Sequence, residues 1–432
     1  MNAKLEKKIK GLRWWIVSLV AVATMINYID RSAMAIMWPE MSKELGIDNT
    51  GYAQIMSMFL VAYGISQMLS GKLYDIVGTK LGFVISIVVW SLSAAFHGVA
   101  RSILSFSVVR FMLGLGEAGN WPGATKSNAE WFPVKERAFA QGIFSTGTSA
   151  GSIIAPPLIA VLYLSIGWKI TFIILGLLGM LWIIPWMYLN TALPKDHPRI
   201  TDEEKEHILG EGAKAEAPVY TDRVPGWGEL LTYKQSYAVI ISRIFLDPVW
   251  WLFVVWLPIY LNDRFGFNVK EIGMYAWMPY VGAALGSLFG GYLSGWFMDR
   301  GWTVNKARKW AIGLGAIIMF PSLILTAYAS SSSMAISLIT IILFGFQVSM
   351  NNIQTLPSDF FGGGAVGSLA GMGGLSAVVG VVIVTNLIPV IVDLSGYALV
   401  FLIGAALVPA AFLGVILFSG TIGKVQLKEG KS

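Results

Sequence analysis

Apolar residues run through this chain in long blocks. Twelve blocks stand out, at 14–37, 51–71, 82–100, 103–124, 138–162, 168–189, 236–261, 271–296, 309–329, 332–356, 365–391 and 396–419. Each is near the ~20 residues that cross a bilayer as a helix. Almost none keeps the polar face that a surface helix of a soluble protein needs, and the ten-residue alternating segments of a β-barrel are absent. The pattern predicts an all-α integral membrane protein with twelve transmembrane helices. The longest polar stretch, 190–235, divides the blocks six and six. It predicts an N-terminal six-helix bundle over 1–189, a linker over 190–235 and a C-terminal six-helix bundle over 236–432.

Within the linker, Thr201-Asp-Glu-Glu204 has the spacing of a capping box, with acidic residues in the first turn of a short helix, TDEEKEHIL. The two halves also resemble each other weakly. With Phe132 set on Phe361, Gly142 falls on Gly371 and Gly151 on Gly380. Inverted or parallel repeats of this kind are how many transporters are built, with the substrate near the midplane between the halves.

Composition agrees with the membrane reading: 55% of residues are hydrophobic and only 13% charged, about half the charge of a soluble domain. The basic excess, a net +6, sits in the loops of one side. Lys and Arg crowd the N-terminal tail, 72–80, 126–137, 190–235, 300–309 and the C-terminal tail, whereas the opposite side holds Lys43, Arg101, Lys169, Arg264 and Lys270. By the positive-inside rule both termini are expected in the cytoplasm, and the charge is not a sign of nucleic-acid binding. The apolar run after the basic N-terminus is too long for a signal sequence and is expected to stay as the first helix. There is no cysteine, which excludes disulfides and thiol chemistry, and the three histidines are scattered. No nucleophile–base constellation or metal cluster points to an enzyme, and no cofactor is expected.

Four ionisable residues interrupt the apolar blocks: Asp30 and Arg31 in the first, Arg110 and Glu117 in the fourth. A charge at the bilayer centre costs ~3 kcal/mol or more, so such residues mark sites for a substrate, an ion or a proton. Arg31 offers a permanently charged, rigid fork suited to a carboxylate. It serves either as an anion anchor or in an internal salt bridge to Asp30 or Glu117. Neighbours on a helix do not face each other, so Asp30 needs a partner other than Arg31, and one job for it is a second proton site. Arg110 and Glu117 are two turns apart on one face, about 10 Å along the axis, and cannot bond directly. Low dielectric favours the neutral form of a carboxyl, which suits Glu117 to carrying a proton, with Arg110 tuning it.

Tyr28, Tyr63 and Gln67 are candidate hydroxyl and amide partners of a polyol, Tyr63 and Gln67 lying i,i+4 on one face. In the tenth block Gln347, Asn351 and Asn352 belong to a polar stripe that suits sugar hydroxyls or helix–helix hydrogen bonds. In the seventh, Arg243 and Asp247 are i,i+4 and followed by Pro248, Trp250 and Trp251. Such a pair neutralises itself structurally, or else frees Arg243 for substrate as the protein moves.

The turn after the second block reads Gly71-Lys-Leu-Tyr-Asp75-Ile-Val-Gly78-Thr-Lys80. It resembles the loop signature G-x-L-x-D-x-x-G-x-[RK] of the major facilitator superfamily, and the resemblance implies that Gly71, Asp75, Gly78 and Lys80 gate the cytoplasmic side. A narrower likeness, over the whole chain, is to the anion:cation symporter family. It is carried by N-Y-I-D-R (27–31), by Arg110 and Glu117 with Pro122, and by E-W-F-P-V-K-E-R (130–137). Within it, Gly147-Thr-Ser-Ala-Gly-Ser-Ile-Ile-Ala-Pro-Pro157 and Arg243-Ile-Phe-Leu-Asp-Pro-Val-Trp250 resemble hexuronate transporters. This implies a proton-coupled symporter of a small sugar acid, with Arg31 on the substrate carboxylate and Glu117 as the coupling proton site. Thr148, in the fifth block, stands where some family members carry a glutamine, a departure from the pattern. The expected partners are the sugar acid, protons and membrane lipid, with the chain acting as a monomer. Aldonates, other carboxylates and phosphate esters remain as alternative cargo, and a non-transporting sensor as an alternative role.

Overall fold

The computed structural model describes residues 8–133, 136–214, 226–361 and 364–425. Fourteen α-helices account for nearly all of them: α1 (Leu12–Leu45), α2 (Asn49–Phe96), α3 (Ile103–Glu117), α4 (Asn120–Trp131), α5 (Arg137–Leu189), α6 (Asp202–Lys214), α7 (Trp227–Leu230), α8 (Lys234–Phe265), α9 (Val269–Tyr275), α10 (Met278–Asp299), α11 (Val304–Ala327), α12 (Ser332–Phe360), α13 (Gly364–Ser395) and α14 (Tyr397–Ser419). Among the described residues the only β pairing is an isolated bridge between Ile9 and Ile200.

The twelve predicted blocks fall on these helices with altered borders. The second and third lie on α2 and the fifth and sixth on α5, and each of these is two helices meeting at a kink. Each is broken where a glycine takes a left-handed φ, Gly78 (φ 78°) and Gly167 (φ 73°), a conformation other residues adopt rarely. The fourth and eighth are each shared by two helices, α3 with α4 and α9 with α10, joined by residues that keep right-handed helical dihedrals, Ala118 and Gly119 in the first and Ala276 and Trp277 in the second. Among the described residues, eight helical stretches are long and apolar enough to cross a membrane. Large apolar side chains such as Leu104, Leu288, Leu394 and Leu417 are 70–79% exposed, an outer surface that only lipid accommodates in such abundance.

Two compact units divide the chain: Met1–Ile47 with Gln54–Pro218, and Asp48–Ala53 with Val219–Ser432. In the first, α1 packs along α5. Gly147 and Gly151 make that approach possible. A Cβ on Gly151 would fall 2.6 Å from the Met25 carbonyl oxygen and 2.8 Å from the Tyr28 Cβ, and one on Gly147 would meet the Ala21 carbonyl. The far end of α1 is held to the sixth apolar block through Glu44, which accepts from Trp168 Nε1 and Lys169 Nζ, both at 2.7 Å. In the second unit α8 packs against α13 and α14, and α12 against α10 and α11.

The offset that sets Phe132 on Phe361 also carries Thr79 to Arg308 and Glu130 to Asp359. In the first unit the Thr79 hydroxyl donates to Glu130 at 2.6 Å; in the second Arg308 Nε donates to Asp359 at 2.9 Å. Corresponding positions thus make corresponding contacts, and the weak sequence repeat is matched by a repeated bond.

Because the Gly151 contact is backbone on one side, a side chain there cannot be accommodated by a rotamer change. Overpacking costs ~1–3 kcal/mol. Gly151→Leu should therefore lower the thermal unfolding midpoint in detergent, whereas Gly142→Leu, with open space around it, should leave the midpoint near wild type.

Candidate functional site

The four buried charges converge inside the first unit. Arg31, Glu117, Asp30 and Arg110 are 4%, 0%, 2% and 0% exposed. Arg31 Nε and Nη2 both approach Glu117 Oε2 at 2.9 Å. Asn27, one turn earlier on α1, completes the arrangement: its Oδ1 accepts from Arg31 Nη2 at 3.0 Å and its Nδ2 donates to the Glu117 carbonyl at 3.3 Å. The second Glu117 oxygen has no hydrogen-bond partner among the described residues. Of the two uses weighed for Arg31, this structure displays the salt bridge to Glu117.

Three rings wall the guanidinium: its central carbon lies 4.8 Å from the Tyr28 ring centre, 4.9 Å from Tyr63 and 5.4 Å from Phe59. Phe59 and Tyr63, i,i+4 on α2, stack at 5.7 Å. The ring faces attract the cation and keep bulk water from it. The Tyr28 hydroxyl adjoins that of Thr148 on α5, and Gln67 is half-buried one turn beyond Tyr63.

Asp30 points elsewhere, as adjacency on a helix requires. Neither of its oxygens has a hydrogen-bond partner among the described residues, and the charges of Arg110 and Glu117 both act on it. Arg110 Nε donates to Met34 Sδ at 3.3 Å, and its guanidinium lies 6.0 Å from the Phe59 ring centre. Met34 is one turn from Asp30, so Arg110 faces the Asp30 side of α1. The Arg110 charge also acts on Glu117 without a bond between them.

The second unit presents a different balance. Arg243 holds Asp247 by two bonds, Nε to Oδ2 at 3.2 Å and Nη2 to Oδ1 at 2.9 Å, the self-neutralising arrangement. Trp250 stacks on Phe346 at 5.3 Å, and Trp251 is half-buried. Of the polar stripe on α12, Asn352 is committed to structure: its Nδ2 donates to the Gly290 and Val348 carbonyls and its Oδ1 accepts from Arg308. Asn351 Nδ2 donates to Ser287 of α10. Gln347 is half-buried one turn away.

Of the loop signature, the surroundings of Gly71 and the side chain of Asp75 lie outside the described residues. Gly78 makes the break in α2, and Lys80 donates to the Thr191 carbonyl at 3.2 Å. Phe59 and Met34 carry no polar signal in the sequence, yet each lies i,i+4 from a residue that does, Tyr63 and Asp30, and Asn27, the first residue of the N-Y-I-D-R motif, lies i,i+4 from Arg31.

A buried cation–carboxylate pair ringed by tyrosines, set among apolar helices with a lipid-compatible exterior, defines a multi-pass membrane protein of the transporter class. The sequence matches the Major Facilitator Superfamily over residues 20–385, and the chain belongs to that superfamily. It is 34% identical over 398 residues to a hexuronate transporter of Escherichia coli strain K12, covering 91% of each chain. It is 36% identical over 315 residues to a galacturonate transporter of Dickeya chrysanthemi, covering 72% of this chain and 90% of that one. A probable galactarate/D-glucarate transporter of Escherichia coli K12 is 28% identical over 445 residues, covering 99% and 97%. These relatives are named as transporters, and by family the chain is a transporter and not an enzyme. The fold is also that of a bacterial homologue of the human lysosomal transporter Spinster, solved inward-facing and unoccupied, with a TM-score of 0.71 and 16% identity over 96% of this chain and 97% of that one.

Arg243 and Asp247 are partly buried, with side chains 19% and 11% exposed, so solvent screens part of the cost of losing one partner. Asp247→Ala should destabilise the protein by about 1–2 kcal/mol in denaturant unfolding, with Arg243→Ala/Asp247→Ala losing less than the sum of the two single variants.

Proposed function

We propose that the chain imports a hexuronate, glucuronate or galacturonate, together with protons, by alternating access across the cell membrane with both termini in the cytoplasm. The observation that carries this reading is the Arg31–Glu117 pair. A substrate carboxylate and Glu117 are chemically the same ligand for one guanidinium, and the fork suits a bidentate carboxylate. When the substrate takes Arg31, Glu117 is left buried without its counter-charge, and protonation relieves that state. Substrate binding and proton uptake then become two halves of one event.

The charge balance follows. A monoanion moving toward a negative interior meets ~2.3 kcal/mol per 100 mV. One proton on Glu117 makes the loaded protein carry no net charge across, and a second on Asp30 makes the cycle driven inward. Tyr28, Tyr63 and Gln67 supply hydroxyl and amide partners for the sugar, and Gln347 in the second unit is of the same chemistry. The hexuronate and galacturonate transporters among the relatives support the choice of cargo, and the basic loops on one side support the orientation. Exchange of phosphate esters, which would use Arg243 as a second cation, would require Asp247 to release it.

Uptake into proteoliposomes, measured across a panel of sugar acids with and without an inward proton gradient, tests the assignment. Glu117→Gln should abolish uphill accumulation while counterflow exchange persists, and a variant that still concentrates substrate would remove Glu117 from the coupling role. Arg31→Ala should weaken binding roughly 10–100-fold, the worth of a charged hydrogen-bonded pair; unchanged affinity would take Arg31 out of the site. Uptake by the wild type should rise as the external pH falls.

A further inference from the structure

The spacing of Thr201 and Glu204 predicts a capping box, but only its first half forms. The Glu204 backbone N–H approaches the Thr201 hydroxyl at 3.3 Å. The Glu204 carboxylate turns away from its own helix, and its two oxygens accept from the backbone N–H groups of Leu12 (3.0 Å) and Arg13 (3.1 Å), the first residues of α1. α1 has no cap of its own, because Gly11 precedes it in a left-handed conformation and offers no side chain. The orphan N–H groups that every helix start carries are thus satisfied by a residue some 190 positions further along, in the linker. Glu204 is 5% exposed.

The same carboxylate also pairs with Arg13 Nη1 at 3.1 Å, and Arg13 Nε reaches Glu136, at the head of α5, at 3.2 Å. Glu136 Oε1 in turn meets His207 Nε2 of α6 at 2.8 Å. Next to this cluster Ile9 N–H donates to the Arg199 carbonyl at 2.8 Å, Lys8 Nζ donates to the Ile200 carbonyl at 2.7 Å, and Trp14 packs edge-on against Phe132 at 5.0 Å. The starts of α1 and α5 and the linker helix therefore meet in one set of bonds. Farther along α1 lie Asn27, Tyr28, Asp30 and Arg31, and farther along α5 the two glycines on which α1 rests.

We propose that Glu204, with Arg13, Glu136 and His207, is a clasp that makes α1, α5 and the linker helix move as one body, with Glu204 a positioning residue for the helix that bears Arg31. The clasp lies several turns from Arg31, and the site keeps its own local bonds, so the clasp governs how movement reaches α1 and not how substrate is held. The functional readout rests on the transport reading above; the structural readout does not.

The test uses the full chain in proteoliposomes, with glucuronate uptake and hydrogen exchange measured on the same preparations. Glu204→Ala should speed exchange in the first turns of α1, lower the maximal uptake rate at least fivefold and leave the half-saturating concentration within twofold. Glu204→Gln, which keeps an acceptor for the two N–H groups, should recover at least half of the lost rate. Arg13→Ala/Glu204→Ala should be no slower than the slower single variant, as expected for residues acting as a unit. Thr303→Ala, which removes the cap of α11, should transport at the wild-type rate. A full rate in Glu204→Ala despite faster exchange would overturn the proposal, as would multiplying losses in the double variant or an equal loss in Thr303→Ala. Should the wild type take up no sugar acid, the transport reading fails, while unchanged exchange at Leu12–Val17 in Glu204→Ala would separately sink the clasp.

Discussion

Burying a guanidinium and a carboxylate together in an apolar helical unit is costly, several kcal/mol for each ion before their attraction is counted. The surroundings of Arg31 and Glu117 offset that cost in several ways. Asn27 takes one guanidinium N–H and returns a bond to the backbone that carries Glu117. Three rings supply their negative faces. The close seating of α1 on Gly147 and Gly151 keeps Tyr28 and Arg31 at a fixed depth. Remove the pair, and most of these features lose their reason.

Much of the fold was legible in the sequence because its signals are of single-helix length. Twelve apolar blocks of about twenty residues leave few alternatives once the backbone must satisfy its own hydrogen bonds in lipid. The borders were less legible: the kinks in α2 and α5 each depend on one left-handed glycine, Gly78 and Gly167, and nothing in the residue types marks those two among the other glycines of the chain. In the site, residue types and helical spacing placed Arg31, Glu117 and Asp30 in their separate directions, since adjacency and two-turn spacing are geometric facts. Spacing within one helix could not say which helix faces which, so the partnership of Arg31 with Glu117 stayed one of several. Asn352 shows the same limit: an amide in a polar stripe suits sugar hydroxyls or helix–helix hydrogen bonds equally, and its bonds to Gly290 and Arg308 are of the second kind.

The capping box of the linker is the instructive exception. Its sequence pattern is correct and its local meaning only half holds, because Glu204 found a second set of backbone donors at the start of α1 with no competing cap. A glycine at a helix start is usually weighed for what its own backbone permits. Here it also determines what a distant segment is able to do.

The paired contacts Thr79–Glu130 and Arg308–Asp359 carry a historical implication. If the halves descend from one ancestral segment copied in tandem, the acidic member has kept its sign in both copies while its donor has drifted between a hydroxyl and a guanidinium. What the two copies then share at that spot is a bond and its geometry, made with a neutral donor in one half and a charged donor in the other.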